Sequence, residues 1–256
     1  MIDVHCHLEH MEDPEAVIKE AKERGMRAII TSVADPKDLS SMLALRREHR
    51  DFLYLCAGFH PHHVNDYTDE EIKKYMQMIR SAAPEIIGIG EIGLEYRGNY
   101  DAIRQQDIFK EFIDLAIELN KPVVLHCREA WNDAPRILAA KKTPKVIFHC
   151  YSGTDLITKF AIAQPSWYIS FATNATYTKK HPRLMEHVPL SRMLLETDSP
   201  WLDPEHPPGK EQQLVNRPWK ITHTAELAAK VKSVTAEEIL KHTTENALNV
   251  FNIPNQ

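Results

Sequence analysis

The chain has 256 residues, of which 43% are hydrophobic and 26% are charged, and its formal net charge at pH 7 is −5. This composition is typical of a soluble globular protein with a large core, so we expect a single domain over residues 1–256. The chain is not strongly basic, so its charge does not indicate binding to duplex DNA through the phosphates, and bound cations would neutralise some of the negative excess. No apolar stretch reaches the length of a membrane span and no leader precedes the first polar motif, which predicts a cytoplasmic protein without a membrane partner. Nothing in the sequence indicates an obligate protein partner.

Strand and helix patterns alternate along the chain. Apolar runs predict strands near 1–6, 26–33, 52–59, 86–92, 122–127, 145–150, 167–172 and 193–198. Helical patterns are predicted near 14–24, 37–50, 69–82, 101–120, 130–141, 154–163, 178–187, 219–232 and 236–251. Eight buried strands with helical crossovers predict an α/β fold, a closed (β/α)8 TIM barrel. The alternative is an open doubly wound sheet, which usually has a glycine-rich loop where this chain has histidines.

Several of the predicted strands end in a histidine or a carboxylate. In a parallel barrel these ends converge on the face where active sites lie. A single histidine after an apolar run is more often a hydrogen-bonded core residue than a ligand, but the repeated pattern predicts a metal-dependent hydrolase. The candidate residues are His5, His7, His60, Glu91, His126, His149 and Asp198.

The spacing of the first candidates predicts one cation site. His5 and His7 are two residues apart on a strand, so their imidazoles share a face. Asp198 ends the last strand, which lies beside the first strand once the barrel closes. These three side chains can therefore reach the same cation.

Two further histidines predict a second cation site. His126 and His149 end the fifth and sixth strands, which are neighbours in a barrel, and Glu91 at the end of the fourth strand can bridge the two sites. Mixed imidazole and carboxylate ligands suit zinc, manganese or iron, and magnesium less readily. We therefore expect two divalent cations, a familiar arrangement for hydrolysing phosphate esters.

The motifs around these residues resemble the signature segments of the TatD-related deoxyribonucleases, which are metal-dependent barrel hydrolases within the wider amidohydrolase group. The resemblance covers essentially the whole chain. The segments that carry it are His5-Cys6-His7, Gly58-Phe59-His60-Pro61-His62, Gly90-Glu91-Ile92-Gly93-Leu94, His126-Cys127-Arg128, His149-Cys150-Tyr151-Ser152-Gly153 and Glu196-Thr197-Asp198-Ser199-Pro200.

The resemblance implies a ligand set and a reaction. It implies His5, His7, Glu91 and Asp198 around one metal, and Glu91, His126 and His149 around the other. It also implies a catalytic role for His60. The expected reaction is cleavage of DNA phosphodiester bonds by metal-activated water, at DNA ends or in single strands, including 3'-5' exonuclease action.

Roles for the remaining polar residues follow from their positions at the predicted barrel mouth. Asp198 would orient the water and accept its proton, and His60 would donate a hydrogen bond to the phosphate or protonate the leaving oxygen. Arg128 is a candidate phosphate clamp, with a structural salt bridge as the alternative. His62 is a candidate substrate contact at the same mouth. Tyr96 or Trp201 could stack on a base, although such residues more often pack in the protein.

The chain departs from the family pattern at three places. Glu95 follows Gly93-Leu94 where the family usually has aspartate, and Pro208-Gly209-Lys210 stands where the family commonly has Arg-Gly-Lys. The segment 171–175 lacks the usual Ser-Gly. These differences affect the expected substrate contacts and leave the expected metal ligands intact.

Two other functions compete with a nuclease. The same ligands could serve an amidohydrolase or lactonase that cleaves a small cyclic amide or ester. A non-enzymatic metal-bound scaffold is the third interpretation, and the complete ligand set disfavours it. All four cysteines are expected to be buried, reduced thiols, because no Cys-x-x-Cys spacing is present.

Overall fold

A computed structural model describes residues 1–206 and 215–255 of the chain. Eight strands form one parallel sheet in the order of the sequence. The strands are β1 (Ile2–Cys6), β2 (Ala28–Val33), β3 (Leu53–Ala57), β4 (Gly88–Glu95), β5 (Val123–Arg128), β6 (Val146–Phe148), β7 (Trp167–Phe171) and β8 (Met193–Leu195).

The segment after β8 closes the sheet into a barrel by pairing with β1. The amide of Asp198 donates to the carbonyl of His5 at 3.0 Å, and the amide of His7 donates to the carbonyl of Ser199 at 2.8 Å. The carboxylate of Asp3 adds a bond from the backbone amide of Thr197 at 3.0 Å. The predicted (β/α)8 TIM barrel is confirmed.

Helices cover the outside of the barrel. They are α1 (Pro14–Glu23), α2 (Leu39–Glu48), α3 (Asp69–Ser81), α4 (Ala102–Glu118), α5 (Ala134–Ala140), α6 (Asp155–Ile162), α7 (Lys180–His187), α8 (Ile221–Lys232) and α9 (Ala236–Phe251). The start of α3 at Thr68 and that of α9 at Thr235 are both capping boxes, in which the threonine and a glutamate three residues later satisfy each other's backbone amides. No helix in residues 1–206 or 215–255 is long and apolar enough to cross a membrane.

The end of the barrel opposite the strand tips is filled by apolar side chains. Val250 and Phe251 from α9 pack with Val4, Ile30 and Val124, which point into the barrel. This packing fills the interior of the barrel at one end, and the candidate ligands lie at the other end, where the strands finish.

Two irregularities in strand pairing turn ligand candidates inward. The register shifts between Asp3 and Cys6 in β1 and between Ile89 and Ile92 in β4. A bulge adds one residue to a strand and so changes which side chains face inward. Both His5 and Glu91 lie within these shifted segments.

The sixth and eighth strands end earlier than the sequence predicted. β6 stops at Phe148 and β8 at Leu195, so His149 and Asp198 lie in the loops that follow. Regular pairing is lost because the chain turns there: Cys150 and Asp198 have positive φ values of 41° and 56°. The loop at Asp198 still reaches the barrel mouth through its bond to β1.

We expect the free energy of unfolding to fall at acidic pH because of His181 on α7. It is buried beside the ring of Phe171, and its Nδ1 contacts the hydroxyl of Thr178. Burial, aided by the charge of Lys180, lowers the pKa of His181 to about 4. In the unfolded chain the pKa of this histidine is about 6.5, so the unfolded chain binds more protons than the folded protein between about pH 4 and about pH 6.5. The free energy of unfolding therefore falls as the pH drops through this range. Urea unfolding of wild type and His181→Asn across this range should show a shallower fall for the variant. Equal slopes would contradict the assignment.

Candidate metal centre

The carboxylate of Glu91 lies at the centre of the barrel mouth, and its side chain is only 3% exposed. Its Oε1 atom faces three histidines. Nδ1 of His126 lies at 2.6 Å, Nε2 of His149 at 3.3 Å and Nε2 of His60 at 3.6 Å. One carboxylate oxygen is therefore surrounded by imidazole nitrogens from β5 and from the loops after β3 and β6.

The other oxygen of Glu91 faces the first strand. Its Oε2 lies 3.4 Å from Nε2 of His5 and 3.5 Å from Nε2 of His7. These two ring nitrogens are 3.0 Å apart. Oδ1 of Asp198 is 3.5 Å from Nε2 of His7 and 3.8 Å from Nε2 of His5. The predicted cluster of His5, His7 and Asp198 is present as a set of converging donor atoms.

The donor set fits a divalent cation. Within residues 1–206 and 215–255, three groups that contain Glu91 or Asp198 each place three ligand atoms within 4.8 Å of one another, and Glu91 belongs to two of them. Imidazole nitrogens and carboxylate oxygens gathered in a buried pocket are ligands suited to zinc or manganese. The groups are His5–Glu91–His149, His5–His7–Asp198 and His60–Glu91–His126.

The grouping differs in detail from the pairing that the resemblance implies. His149 stacks on His5 with ring centroids 3.6 Å apart, whereas the rings of His126 and His149 are 6.3 Å apart. The neighbour that shares a three-atom group with His126 is His60. His60 therefore lies close enough to Glu91 to belong to the centre itself.

Polar side chains that the strand-tip pattern did not identify contact the rings of the candidate ligands. Nδ1 of His149 lies 2.8 Å from Oε1 of Glu196, and Nδ1 of His7 lies 2.9 Å from Oε1 of Glu9. The ring of His5 is held at 3.1 Å by the hydroxyl of Ser32. Such partners set which nitrogen of an imidazole faces a metal. Glu9 lies in a short 3-10 helix, Leu8–His10, that follows β1, so the alternation of side chains along a strand does not predict its contact with His7.

Glu95, the first departure from the family pattern, connects two histidines. Its Oε2 lies 3.3 Å from Nε2 of His126 and 3.1 Å from Nε2 of His62. Its Oε1 accepts the backbone amide of Arg97 at 2.8 Å. The carboxylate of Glu95 is buried and contacts both His126 at the centre and the exposed His62. It can therefore position both rings.

Charge compensation explains how these groups stay buried. Burial would raise the pKa of Glu91, but His149, His60 and His126 hold that pKa well below its ordinary value. Burial would lower the pKa of His7, but the Glu9 and Asp198 carboxylates raise that pKa to about 10. Ligands must lose their protons to bind a metal, so protons compete with cations for this centre.

The expected substrate contacts lie around the mouth at different depths. Arg128 ends β5 with an exposed side chain, and it forms no salt bridge with any described residue. The side chain of His62 is 43% exposed. Tyr96 instead donates to Asp133 at 2.8 Å and accepts from Gln106 at 2.7 Å, which makes it a packing residue.

The two other departures have different outcomes. Pro208-Gly209-Lys210 lies outside the described residues. In the 171–175 segment, Thr173 donates to the carbonyl of Thr197 at 3.0 Å, and its hydroxyl accepts from Asn216 at 2.9 Å. These bonds support the loop that carries Asp198.

All four cysteines are free, but Cys150 is only half-buried, because it lies in the turn after β6 and not in a strand.

The family model described as "TatD related DNase" matches residues 2–252. The chain belongs to this family. A relative from Bacillus subtilis, an uncharacterized metal-dependent hydrolase called YabD, is 32% identical and is matched over 99% of this chain and 99% of its own length. These findings establish a metal-dependent hydrolase of the TatD family.

Two further comparisons cover almost all of the chain. The "3'-5' ssDNA/RNA exonuclease TatD" of Erwinia tasmaniensis is 30% identical over 99% of this chain and 100% of its own. The crystal structure of YjjV, a TatD homologue from Escherichia coli K12, superimposes with a TM-score of 0.90 and 26% identity, covering 99% of this chain and 98% of that one. Relatives of this family therefore carry both nuclease names and uncharacterized ones.

The contact between Glu196 and His149 predicts an effect on metal affinity. Glu196→Gln keeps the side-chain shape but removes the charge that orients the ring, so we expect about 10- to 100-fold weaker binding of zinc or manganese. Isothermal titration calorimetry measures the affinity. Glu129→Gln, at an exposed acid after β5, is the matched control and should bind as wild type does. Unchanged affinity in Glu196→Gln would show that this contact does not position a ligand.

Proposed function

We propose that this protein is a single-domain, two-cation nuclease that hydrolyses phosphodiester bonds of single-stranded DNA, with 3'-5' exonuclease action. The position of Glu91 carries the proposal, because its two oxygens face two different sets of histidines. A carboxylate placed in this way can bridge paired cations about 3.5–4 Å apart, an arrangement suited to phosphate esters. The relative named as a single-strand exonuclease supports this choice of substrate.

The two cations would be held by overlapping sets of residues. His5, His7, Glu91 and Asp198 would hold one, and Glu91, His126 and His149 the other. When bound, the cations supply positive charge to the phosphodiester oxygens and lower the pKa of water. The ligand chemistry suits zinc or manganese better than magnesium.

Asp198 is the proposed general base. Its side chain is 17% exposed, against 3% for Glu91, so water can reach it. Burial would raise the pKa of Asp198, but the hydrogen bond from His7 and the charge of His149 hold it below its ordinary value. The group is therefore a carboxylate at neutral pH and can orient a water molecule and accept its proton.

His60 is the proposed hydrogen-bond donor to the phosphate or the leaving oxygen. Its Nδ1 accepts the backbone amide of His62 at 3.1 Å, so the ring proton is on Nε2. Nε2 is the atom that faces Glu91. The backbone of the loop thus fixes the tautomer that presents an N–H group to the mouth.

Arg128 and His62 are the proposed substrate-binding residues. Both are exposed near His126, whose ring centroid lies 6.1 Å from that of His62. A guanidinium without a protein carboxylate partner can bind a phosphate in a bidentate geometry.

The four cysteines are free thiols, which fits a reducing compartment, and we place the activity in the cytoplasm.

Replacing Glu91 tests the proposed centre directly. Glu91→Ala removes the bridging carboxylate, so cleavage of a labelled single-stranded oligonucleotide should be abolished while far-UV circular dichroism stays close to that of wild type. Chelation should abolish wild-type cleavage as well, and adding back zinc or manganese should restore it. Retained turnover in Glu91→Ala would refute the bridging role.

The competing hydrolase function is tested with the same preparation. Lactones and dihydropyrimidines are assayed beside DNA under each added cation. Hydrolysis of these compounds without any oligonucleotide cleavage would replace the nuclease by an amidohydrolase or lactonase.

Removing the guanidinium of Arg128, which forms no salt bridge within residues 1–206 and 215–255, should weaken phosphate binding. For Arg128→Ala we expect a several-fold higher KM for single-stranded DNA and a slope of log(kcat/KM) against log[salt] that is smaller by about 0.7. Arg136→Ala is the matched control, since Arg136 is exposed on α5 and likewise has no salt bridge with any described residue. Identical salt slopes for Arg128→Ala and Arg136→Ala would contradict the phosphate contact.

A further inference from the structure

We propose that Trp201 and Tyr100 each hold one nucleobase next to the scissile phosphodiester, on the two sides of the Glu91 carboxylate. The inference rests on the proposed nuclease function and specifies how the nucleic acid is recognised. It assigns binding roles to two aromatic side chains that no ligand or catalytic role accounts for.

Trp201 lies against the ligand histidine on the Oε2 side of Glu91. Its ring centroid is 5.0 Å from that of His7, at an interplanar angle of 69°, and 5.1 Å from that of His10. The backbone is fixed on both sides of the indole: the amide of Trp201 donates to Asp198 at 3.1 Å, and its carbonyl accepts from Asn216 at 2.6 Å. The side chain is partly exposed, and its indole N–H has no hydrogen bond to any described residue.

Tyr100 occupies the corresponding place on the Oε1 side. Its ring stacks on His62 with centroids 5.1 Å apart and an interplanar angle of 19°. His62 is in turn held by Glu95, which also contacts His126. The Tyr100 ring is partly exposed, and its hydroxyl has no partner in the described part of the chain.

The backbone leaves room for the Tyr100 ring at one glycine. Gly98 has a φ of +125°, and a Cβ at that position would lie 2.7 Å from a ring carbon of Tyr100. A side chain there would push the ring away from His62. The loop between β4 and α4 is therefore shaped to keep Tyr100 at the mouth.

A continuous series of contacts joins the two aromatic rings through the centre. Trp201 contacts His7, which faces Oε2 of Glu91. On the other side, Oε1 of Glu91 faces His126, which neighbours the stacked pair of His62 and Tyr100. A phosphodiester held by cations at this centre would thus have one aromatic ring on each side of it.

This placement selects unpaired bases. Stacking on aromatic rings tolerates any base, since every base has a π-face, and it contributes to most single-strand sites. A base within a duplex already stacks and pairs with its neighbours, and must be extruded before it can occupy such a position. The two rings therefore predict a preference for single strands with little preference for sequence.

The test compares two labelled ten-residue oligonucleotides, oligothymidylate and a fully abasic strand of tetrahydrofuran units with the same phosphates. Trp201→Leu and Tyr100→Leu should each lower kcat/KM on oligothymidylate by about tenfold, mainly through KM, because one stacked base is lost. Their loss on the abasic strand should be less than about twofold by the same reasoning. Trp201→Phe and Tyr100→Phe should recover most of the rate on oligothymidylate.

Matched aromatic controls lie away from the mouth. Trp219→Leu and Tyr168→Leu alter rings that lie beside Arg24 and Arg192, and both should keep the wild-type preference for oligothymidylate. Equal losses on the two strands in Trp201→Leu and Tyr100→Leu would overturn base stacking while leaving the nuclease function intact. Wild-type protein that cleaves neither strand with any added cation would overturn the proposed function and this inference together.

Discussion

The structure of the barrel mouth depends on one buried charge, the carboxylate of Glu91. A carboxylate that is 3% exposed is costly to bury unless other groups compensate for it. Here the compensation comes from imidazoles on both sides of the group, at distances from 2.6 to 3.6 Å. Because each oxygen of Glu91 serves a different set of histidines, the same arrangement that makes burial possible also defines a place for cations.

Barrel closure is what brings these groups together. Asp198 reaches the first strand because the loop after β8 pairs with β1. In this pairing Asp198 bonds to His5 and Ser199 bonds to His7. Val250 and Phe251 from α9 fill the opposite end of the barrel with apolar side chains. The candidate ligands consequently gather at one face, where Glu9 and Ser32 hydrogen-bond to the rings of His7 and His5 and Glu196 lies against the ring of His149. Fixed rings are the condition for a preorganised metal site.

Membership in the TatD family establishes a metal-dependent hydrolase. One residue beside the barrel mouth of this chain differs from the usual family sequence. Glu95, where the family usually has aspartate, uses one oxygen to contact both His126 and His62. His62 in turn supports the ring of Tyr100. A departure next to the candidate metal ligands is thereby connected to the surface that would meet the proposed substrate.

The sequence by itself determined the alternation of strands and helices and the candidate ligands at the strand ends. These features depend on local rules: apolar runs and the alternation of side chains along a strand. It did not determine that bulges in β1 and β4 turn His5 and Glu91 inward, or that His149 stacks on His5 while His60 lies beside His126. It also did not show that the hydroxyl of Tyr96, which with Trp201 was a candidate for base stacking, is hydrogen-bonded to Asp133 and Gln106. Only the tertiary structure decided these points, because they depend on register shifts and on contacts between residues far apart in the chain.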